Sequence, residues 1–300
     1  MPNNTVLDIA GTQLTLSNLE KVFYPKSGFN KKQMIDYYIR ISPFLLPHLA
    51  GRPLTLKRYP HGSDGKFFYQ KECPASRPEW LSTTPIWSKS NNKHICYCVV
   101  DNLSALVWTA NMAALELHTS LSSSENIDVP TMMVFDLDPG WPATIVECTQ
   151  VALWLLEFFA KANLQSYPKT SGSKGLQIYV PLNTPVDYSQ TKSLAHKLAQ
   201  MLEKKFPNQV VSKMNKNLRP GKVFIDWSQN DPHKTTVCVY SLRAREEPTV
   251  STPVTWLEIE QVWKSKDAEQ LVFTAAKVLE RVKNMGDLFA PVLTTKQYLS

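Results

Sequence analysis

TMMVFDLDPG, residues 131–140, places Asp136 and Asp138 two positions apart inside a run of Met, Val, Phe and Leu. Side chains alternate across a strand, so both carboxylates project from one face while Phe135 and Leu137 enter the opposite layer. Desolvated like charges repel and raise each other's pKa, so such a pair is neutralised by a proton, by basic side chains or by a bound cation. Two readings follow, a divalent-metal site or a pair at a solvated strand end. Pro139-Gly140 stops the strand in a way that suits both.

The rhythm around this strand predicts the fold. Residues 143–162 read as a helix with Val146, Val151, Leu155 and Phe158 among its apolar positions; GLQIYVPL (175–182) reads as a strand and residues 189–206 as an amphipathic helix. VFIDWSQN (223–230) and TTVCVYSLR (235–243) read as two further strands. The resulting β-α-β-α-β-β order is close to a split ferredoxin-like or RNA-recognition-motif arrangement, with a helix-rich tail from Trp256 expected to pack against it. The fold class is α/β, in the α+β sense.

The amino-terminal half is mixed. A helix is expected over residues 30–42, with Asn30 as N-cap and Ile35, Tyr38 and Ile39 on one face. PLTLKRYP (53–60), KFFYQKE (66–72) and HICYCVV (94–100) read as strands, separated by turns at 61–65 and 88–93, and LSALVWTANMAALELH (103–118) as a buried helix ending near His118. The polar segment 119–130 is the best internal boundary, dividing residues 1–130 from 131–300.

Composition narrows the classes. The 300 residues are 43% hydrophobic and 20% charged, an ordinary globular mixture. No apolar run approaches a membrane span, and MPNNTVLDIA lacks the layout of a signal peptide, so an intracellular protein is expected. The five cysteines are odd in number and form no C-x-x-C pair, which supports neither a disulfide framework nor a zinc ribbon; His94, Cys96 and Cys98 read as small buried strand residues. The net charge of +7 admits a polyanionic partner, with Lys213, Lys216, Arg219, Lys222, Lys234, Arg243 and Arg245 flanking apolar segments of the second half.

Asp226 in VFIDWSQN is a third acid on an apolar strand, where aspartate is normally avoided. Three carboxylates, Asp136, Asp138 and Asp226, suit Mg²⁺ or Mn²⁺, which prefer oxygen ligands and share their shell with substrate phosphates. SGSKG (171–175) offers glycine-bordered amides, the Ser171 and Ser173 hydroxyls and the Lys174 charge to an anion, although it lacks the spacing of a Walker loop and equally reads as a plain turn between helix and strand. Arg243 is expected at the end of a strand of the acid-bearing sheet, where it could clamp a triphosphate or pair with the acids. Acids, metal and phosphate nest suggest phosphoryl or nucleotidyl transfer, in which two metals activate an attacking hydroxyl and no protein nucleophile is needed. A non-catalytic nucleic-acid-binding module explains the positive charge but not three acids that repel phosphate, and a D-x-D phosphatase is weakened by the mid-chain position of its pair.

FDLDPG, TSGSKGL, VFIDWSQN, KTT and YSLRAR with PTVSTPVTW, in that order, resemble the polymerase domain of bacterial ligase D and its stand-alone relatives, in the archaeo-eukaryotic primase superfamily. The likeness continues in LSNLEKVFYPKSG, in residues 36–60 and in FFYQKE, and so covers nearly the whole chain. It implies one primase-polymerase domain over residues 1–300, with an RNA-recognition-like catalytic half and an amino-terminal part that completes the cleft and binds DNA ends. It further implies templated gap filling and end extension in non-homologous end joining, a preference for ribonucleotides and Mn²⁺, Ku and a DNA ligase as partners, and a cytoplasmic, nucleoid-associated location. By resemblance, Asp136, Asp138 and Asp226 match the metal triad, Ser171, Ser173 and Lys174 the triphosphate motif, and His118, Gln229 and Arg243 nucleotide-site positions. Lys21 and Lys26 match residues that bind the 5′ phosphate of a downstream strand, and Phe67 and Phe68 aromatics that meet template or nucleotide. One departure is Gln177, where the family usually has His; an amide hydrogen-bonds but carries no proton charge near neutral pH.

Overall fold

The structure is a computed structural model that describes residues 4–88 and 91–299; part of the expected 88–93 turn thus lies outside the described residues. Hairpin β1 (Asn4–Ile9) and β2 (Thr12–Ser17) and the short pair β3 (Val22–Tyr24) and β4 (Phe29–Asn30) precede helix α1 (Lys31–Leu49). Strands β5 (Leu54–Arg58), β6 (Phe68–Gln70), β7 (Thr83–Ser88) and β8 (Lys93–Cys98) lead to α2 (Leu103–Asn111) and β9 (Ala114–Thr119). There follow β10 (Met132–Pro139), α3 (Ile145–Lys161), β11 (Tyr167–Thr170), β12 (Leu176–Pro181), α4 (Tyr188–Lys205), β13 (Val210–Val211) and β14 (Val223–Asp226). The short strand β15 (Thr236–Val237) then precedes α5 (Trp256–Ser265), α6 (Ala275–Met285) and α7 (Pro291–Thr294).

These elements sort into two compact units: residues 4–120, 235–250 and 274–286 form the first, and residues 121–234, 251–273 and 287–299 the second. Residues 235–250 and 274–286 therefore return to the first unit, which a single division at residue 130 does not anticipate. No helix of the described residues is long and apolar enough to cross a membrane.

In the second unit five strands lie in the order β11-β12-β10-β14-β13, antiparallel except for the parallel pair β13–β14. The sequence β10-α3-β11-β12-α4-β14 is a recognition-motif arrangement, but its order differs from the expected β-α-β-α-β-β: β11 forms a hairpin with β12 ahead of α4, and no strand from 235–243 joins this sheet. Alternation works as predicted on β10: Met133, Phe135 and Leu137 join one core with Leu176, Ile178, Val180, Val223 and Ile225, and α3, α4 and α5 bury their apolar positions in the same core. Burying Phe135 completely contributes about 2 kcal/mol, and its ring lies 5.4 Å from Phe159 of α3. Helix α3 starts at Thr144, which exchanges capping bonds with Glu147. The side of β10 away from this core carries Met132 and Val134 and then Asp136 and Asp138.

The first unit is built on the strand order β15-β9-β5-β8-β7, with β6 paired to the far part of β5. Several expectations are corrected here. Helix α1 begins at Asn30 as read but continues through Pro43 and Pro47 to Leu49. The carbonyl that Pro43 cannot satisfy, that of Ile39, accepts instead from Ser42 Oγ at 2.8 Å, and Ile41, Leu45 and Leu49 are buried, so packing outweighs the lost bond. Residues 103–118 are not one helix: α2 ends at Asn111, Ala113 turns the chain at φ 61°, and β9 follows. Five of the six β9 residues are buried, so the run has no alternation to set it apart from a buried helix. The expected strand 235–243 reduces to β15, and it pairs with β9 rather than with the acid-bearing sheet. Of the tail, α5 joins the second unit's core while α6 belongs to the first. Cys73 and Cys98 are joined by a disulfide, contrary to the sequence reading; β8 delivers Cys98 to within 5.1 Å Cα–Cα of Cys73, a proximity that cysteine spacing does not encode.

Candidate active site

The predicted residues fall into two groups, one in each unit. Asp136, Asp138, Ser171, Ser173, Lys174, Asp226 and Gln229 lie in the second; Lys21, Lys26, Phe67, Phe68, His118 and Arg243 lie in the first.

In the second unit Asp136 stands opposite Gln177 of β12 on one side and Asp226 of β14 on the other, and Gln177 stands opposite Lys169 of β11. Directly opposed residues share a face, so Lys169, Gln177, Asp136 and Asp226 form one row across four strands, with Asp138 two residues along β10. Burial, then the charges of Asp138 and Asp226, push the Asp136 carboxyl up to about 8, against a hydrogen bond from Gln177 and the charge of Lys169. Asp226 caps a single 3-10 turn: Oδ1 accepts from Ser228 N at 3.0 Å and Ser228 Oγ at 2.5 Å, and Oδ2 from Gln229 Nε2 at 2.8 Å. Lys234 donates to the same Ser228 hydroxyl. Gln229 thus touches the acid site through Asp226.

Among the described residues, no three acidic, histidine or cysteine side chains are already gathered into a cation cage. The donor chemistry nonetheless fits a hard divalent cation. Three carboxylates share one face with no histidine or thiol among them, and burial with the charges of Asp138 and Asp226 outweighs Lys169 in holding Asp136 protonated.

The SGSKG stretch is the loop of the β11–β12 hairpin, not a turn between helix and strand. Ser171 Oγ accepts from the amides of Ser173 and Gly175, each at 3.2 Å, which curls the loop, while Ser173 and Lys174 are exposed. Gly175 is required by close approach: a Cβ there would lie 2.0 Å from the carbonyl oxygen of Leu137, between the two β10 acids. The loop base is fixed by Thr170 N donating to Thr252 O at 2.8 Å and Ser251 Oγ donating to Thr170 O at 3.0 Å.

In the first unit His118 lies on β9 rather than at a helix end, and Arg243 belongs to this unit rather than to the acid sheet. Both converge on Glu116, a buried carboxylate that the sequence reading passed over. Glu116 Oε2 lies 3.0 Å from His118 Nε2 and 3.3 Å from Arg243 Nε; Oε1 accepts from Tyr59 Oη at 3.2 Å, Ala244 N at 3.1 Å and Lys57 Nζ at 3.4 Å. Burial alone would raise this carboxyl, but the His118 hydrogen bond and the charges of Arg243, His118 and Lys57 hold it well below the usual carboxylate range. Burial also depresses His118, against the hydrogen bond and charge of Glu116. The only sequence signal for Glu116 is an acid in an otherwise apolar buried run.

Tyr69, Lys57 and Glu116 form a second row, across β6, β5 and β9. The Lys57 ammonium lies 4.3 Å from the Phe67 ring centroid and 5.6 Å from that of Tyr69, and the Tyr69 ring meets His118 edge-on at 6.0 Å. Phe68 is turned to the other face, 5.2 Å over Arg58. The structure therefore separates the expected pair Phe67 and Phe68 and sets the exposed Tyr69 beside Phe67 instead. Lys21 Nζ donates to Pro60 O at 2.6 Å, whereas Lys26 forms an exposed ion pair with Glu246 at 2.8 Å. Lys31 is buried, donating to Ser17 O and Asn111 Oδ1, both at 2.7 Å; burial, then the charges of Lys21 and Arg58, lower it to about 8. Lys21 and Arg58 are thus each close enough to Lys31 to repel it.

The family model for the LigD primase-polymerase domain matches residues 30–289. The multifunctional non-homologous end joining protein LigD of Mycolicibacterium smegmatis is 40% identical over 282 residues, covering 93% of this chain and 36% of the relative. The bifunctional LigD of Bacillus subtilis is 31% identical over 275 residues, covering 91% and 43%. The chain therefore spans well under half the length of these relatives. The solved polymerase domain from Mycobacterium tuberculosis ligase D in complex with DNA superposes with a TM-score of 0.87 at 39% identity, covering 95% of this chain and 99% of that one. A family match across most of the chain leaves one assignment: this chain belongs to the LigD primase-polymerase domain family.

Proposed function

We propose that the chain is one primase-polymerase domain acting as a template-directed nucleotidyltransferase that fills gaps and extends DNA ends during non-homologous end joining. The observation that carries this reading is the set of three carboxylates, Asp136, Asp138 and Asp226, on one face of the five-stranded sheet, where burial and the charges of its two neighbours push Asp136 up to about 8. Asp136, Asp138 and Asp226 would hold Mn²⁺ or Mg²⁺. When bound, such ions supply countercharge to a triphosphate and lower the pKa of an attacking 3′ hydroxyl. The chain's own side chains do the rest. Ser171, Ser173 and Lys174 receive the triphosphate on the loop that Gly175 presses against β10, and Gln229 steadies Asp226. His118 and Arg243 are held for nucleotide contact by Glu116, and Phe67 offers an exposed ring for base stacking. Lys21 binds the 5′ phosphate of the downstream strand, where the neighbouring Lys31 and Arg58 favour an anion. Ribonucleotide preference, Ku and a DNA ligase as partners and a nucleoid location rest on the family resemblance.

Gap filling on a duplex with a 5′-phosphorylated downstream strand tests this, offering rNTPs or dNTPs with Mn²⁺ or Mg²⁺. Templated incorporation that is lost in Asp226→Ala, with folding retained, is expected. DNA binding without incorporation under every condition would make the chain a non-catalytic end-binding module instead.

A further inference from the structure

Lys169 stands at the end of the acid row and is fully buried. Its Nζ donates to Gln177 Oε1 at 2.5 Å and to Ser251 Oγ at 2.7 Å. Gln177 is itself buried and hydrogen-bonds on its other side to Asp136. An ammonium withdrawn from water is costly unless its hydrogen bonds are made, so this arrangement is a built one.

The two ends of a glutamine amide have nearly the same shape, and their orientation follows from what each faces. An ammonium can only donate and an ionised carboxylate can only accept. Gln177 therefore presents its oxygen to Lys169 and its NH₂ to Asp136. From this chemistry we infer that Lys169 is a positioning residue for Asp136, acting through Gln177: it fixes the amide so that a donor always faces the carboxylate and orients its remaining lone pairs for a divalent cation. Ser251 anchors the far end, accepting from Lys169 and donating to Thr170 O at 3.0 Å. The relay depends on register alone, since Lys169, Gln177 and Asp136 are directly opposed on adjacent strands.

The inference rests on the reading of Asp136 as a cation ligand, and the test separates the two. The full chain, stripped of metal, is titrated with Mn²⁺ alone by calorimetry, and the unfolding temperature of each metal-free variant is measured in parallel. Gln177→Met and Lys169→Met are each expected to weaken Mn²⁺ binding by about 10- to 100-fold, the usual effect of removing a partner that orients a ligand. The double variant is expected to bind no more weakly than either single one. A lower unfolding temperature with unchanged Mn²⁺ affinity would make Lys169 structural and overturn the inference. Additive losses would show that Lys169 acts by its charge and not through Gln177, which overturns it equally. Should Lys169→Met fail to fold, Gln177→Asn decides: its shorter amide cannot reach both neighbours, so affinity equal to wild type overturns the relay. Failure of the wild-type chain to bind Mn²⁺ would instead overturn the cation reading, and the inference with it.

Discussion

Binding of Mn²⁺ at pH 7 should expel most of one proton from the acid row. With the Asp136 carboxyl at about 8, one unit above the pH, about ten molecules carry the proton for each that does not, so about 0.9 proton leaves per cation bound. At pH 9 the same arithmetic leaves about 0.1. Asp136, Asp138 and Asp226 interact, so the proton belongs to the triad and only the total is measured. Calorimetric titrations in buffers of differing ionisation enthalpy give that total as a slope. The same shift fixes the sign of a stability change. A carboxyl raised in the folded state favours the protonated fold, so its contribution is fully present below the unfolded carboxyl pKa of about 4 and is lost as pH rises to about 8. Metal-free protein should therefore lose stability across that window and saturating Mn²⁺ should restore it, while Asp136→Asn abolishes both effects. A slope near zero at pH 7, with Mn²⁺ bound, would refute the reasoning.

Gly175→Ala must separate β10 from the loop to relieve a 2.0 Å contact with Leu137 O; a loss of about 3 kcal/mol in denaturant unfolding is expected, and about 100-fold in incorporation rate if the acids shift by about 1 Å. Wild-type behaviour in both assays would show that the hairpin is looser than it looks. Glu116→Gln leaves the charges of Arg243 and Lys57 around a neutral amide and should cost about 3 kcal/mol at pH 7 while raising the nucleotide KM. Because the Glu116 carboxyl is depressed, its contribution is present above about pH 4 and fades as pH falls through its folded value, so acid should narrow the gap between wild type and variant. Lys21→Ala should weaken binding of a 5′-phosphorylated gapped duplex about tenfold, as loss of one charge-assisted hydrogen bond would, and Lys26→Ala less, since Lys26 is already engaged by Glu246. Equal losses in a binding titration would reverse that ranking.

The carboxylate sheet was legible because its signals are local. Met133, Phe135 and Leu137 alternate with the acids, and Thr144 and Glu147 mark a helix start within four residues of each other. Expectations failed where distant residues decide. Pro43 reads as a helix stop until Ser42 and the buried residues beyond it are seen to compensate. β9 is nearly buried throughout, so no periodicity distinguishes the strand that carries His118 from a buried helix. Residues 235–243 have the composition of a strand, but only Thr236 and Val237 find a partner, and they find it on β9 in the first unit.

The functional groups follow the same division, for a reason that lies in strand pairing. Asp136 and Asp138 announce themselves because their spacing matches the strand period, and SGSKG because its residues are contiguous. What tunes them is set by register across strands far apart in sequence: Lys169 and Gln177 reach Asp136 from β11 and β12, and Lys57 joins Tyr69 to Glu116 from β6 to β9. A slip of one residue in any of these pairings would send every partner to the opposite face while leaving the sequence of each strand intact. Gln177 shows the consequence most clearly. Read alone, it is a neutral residue where the resembling family carries histidine; in its row it links a buried ammonium to the carboxylate that most needs a countercharge. The nearest positive charge stands one strand further out, on Lys169, and Gln177 joins it to Asp136 by hydrogen bonds at both ends of its amide.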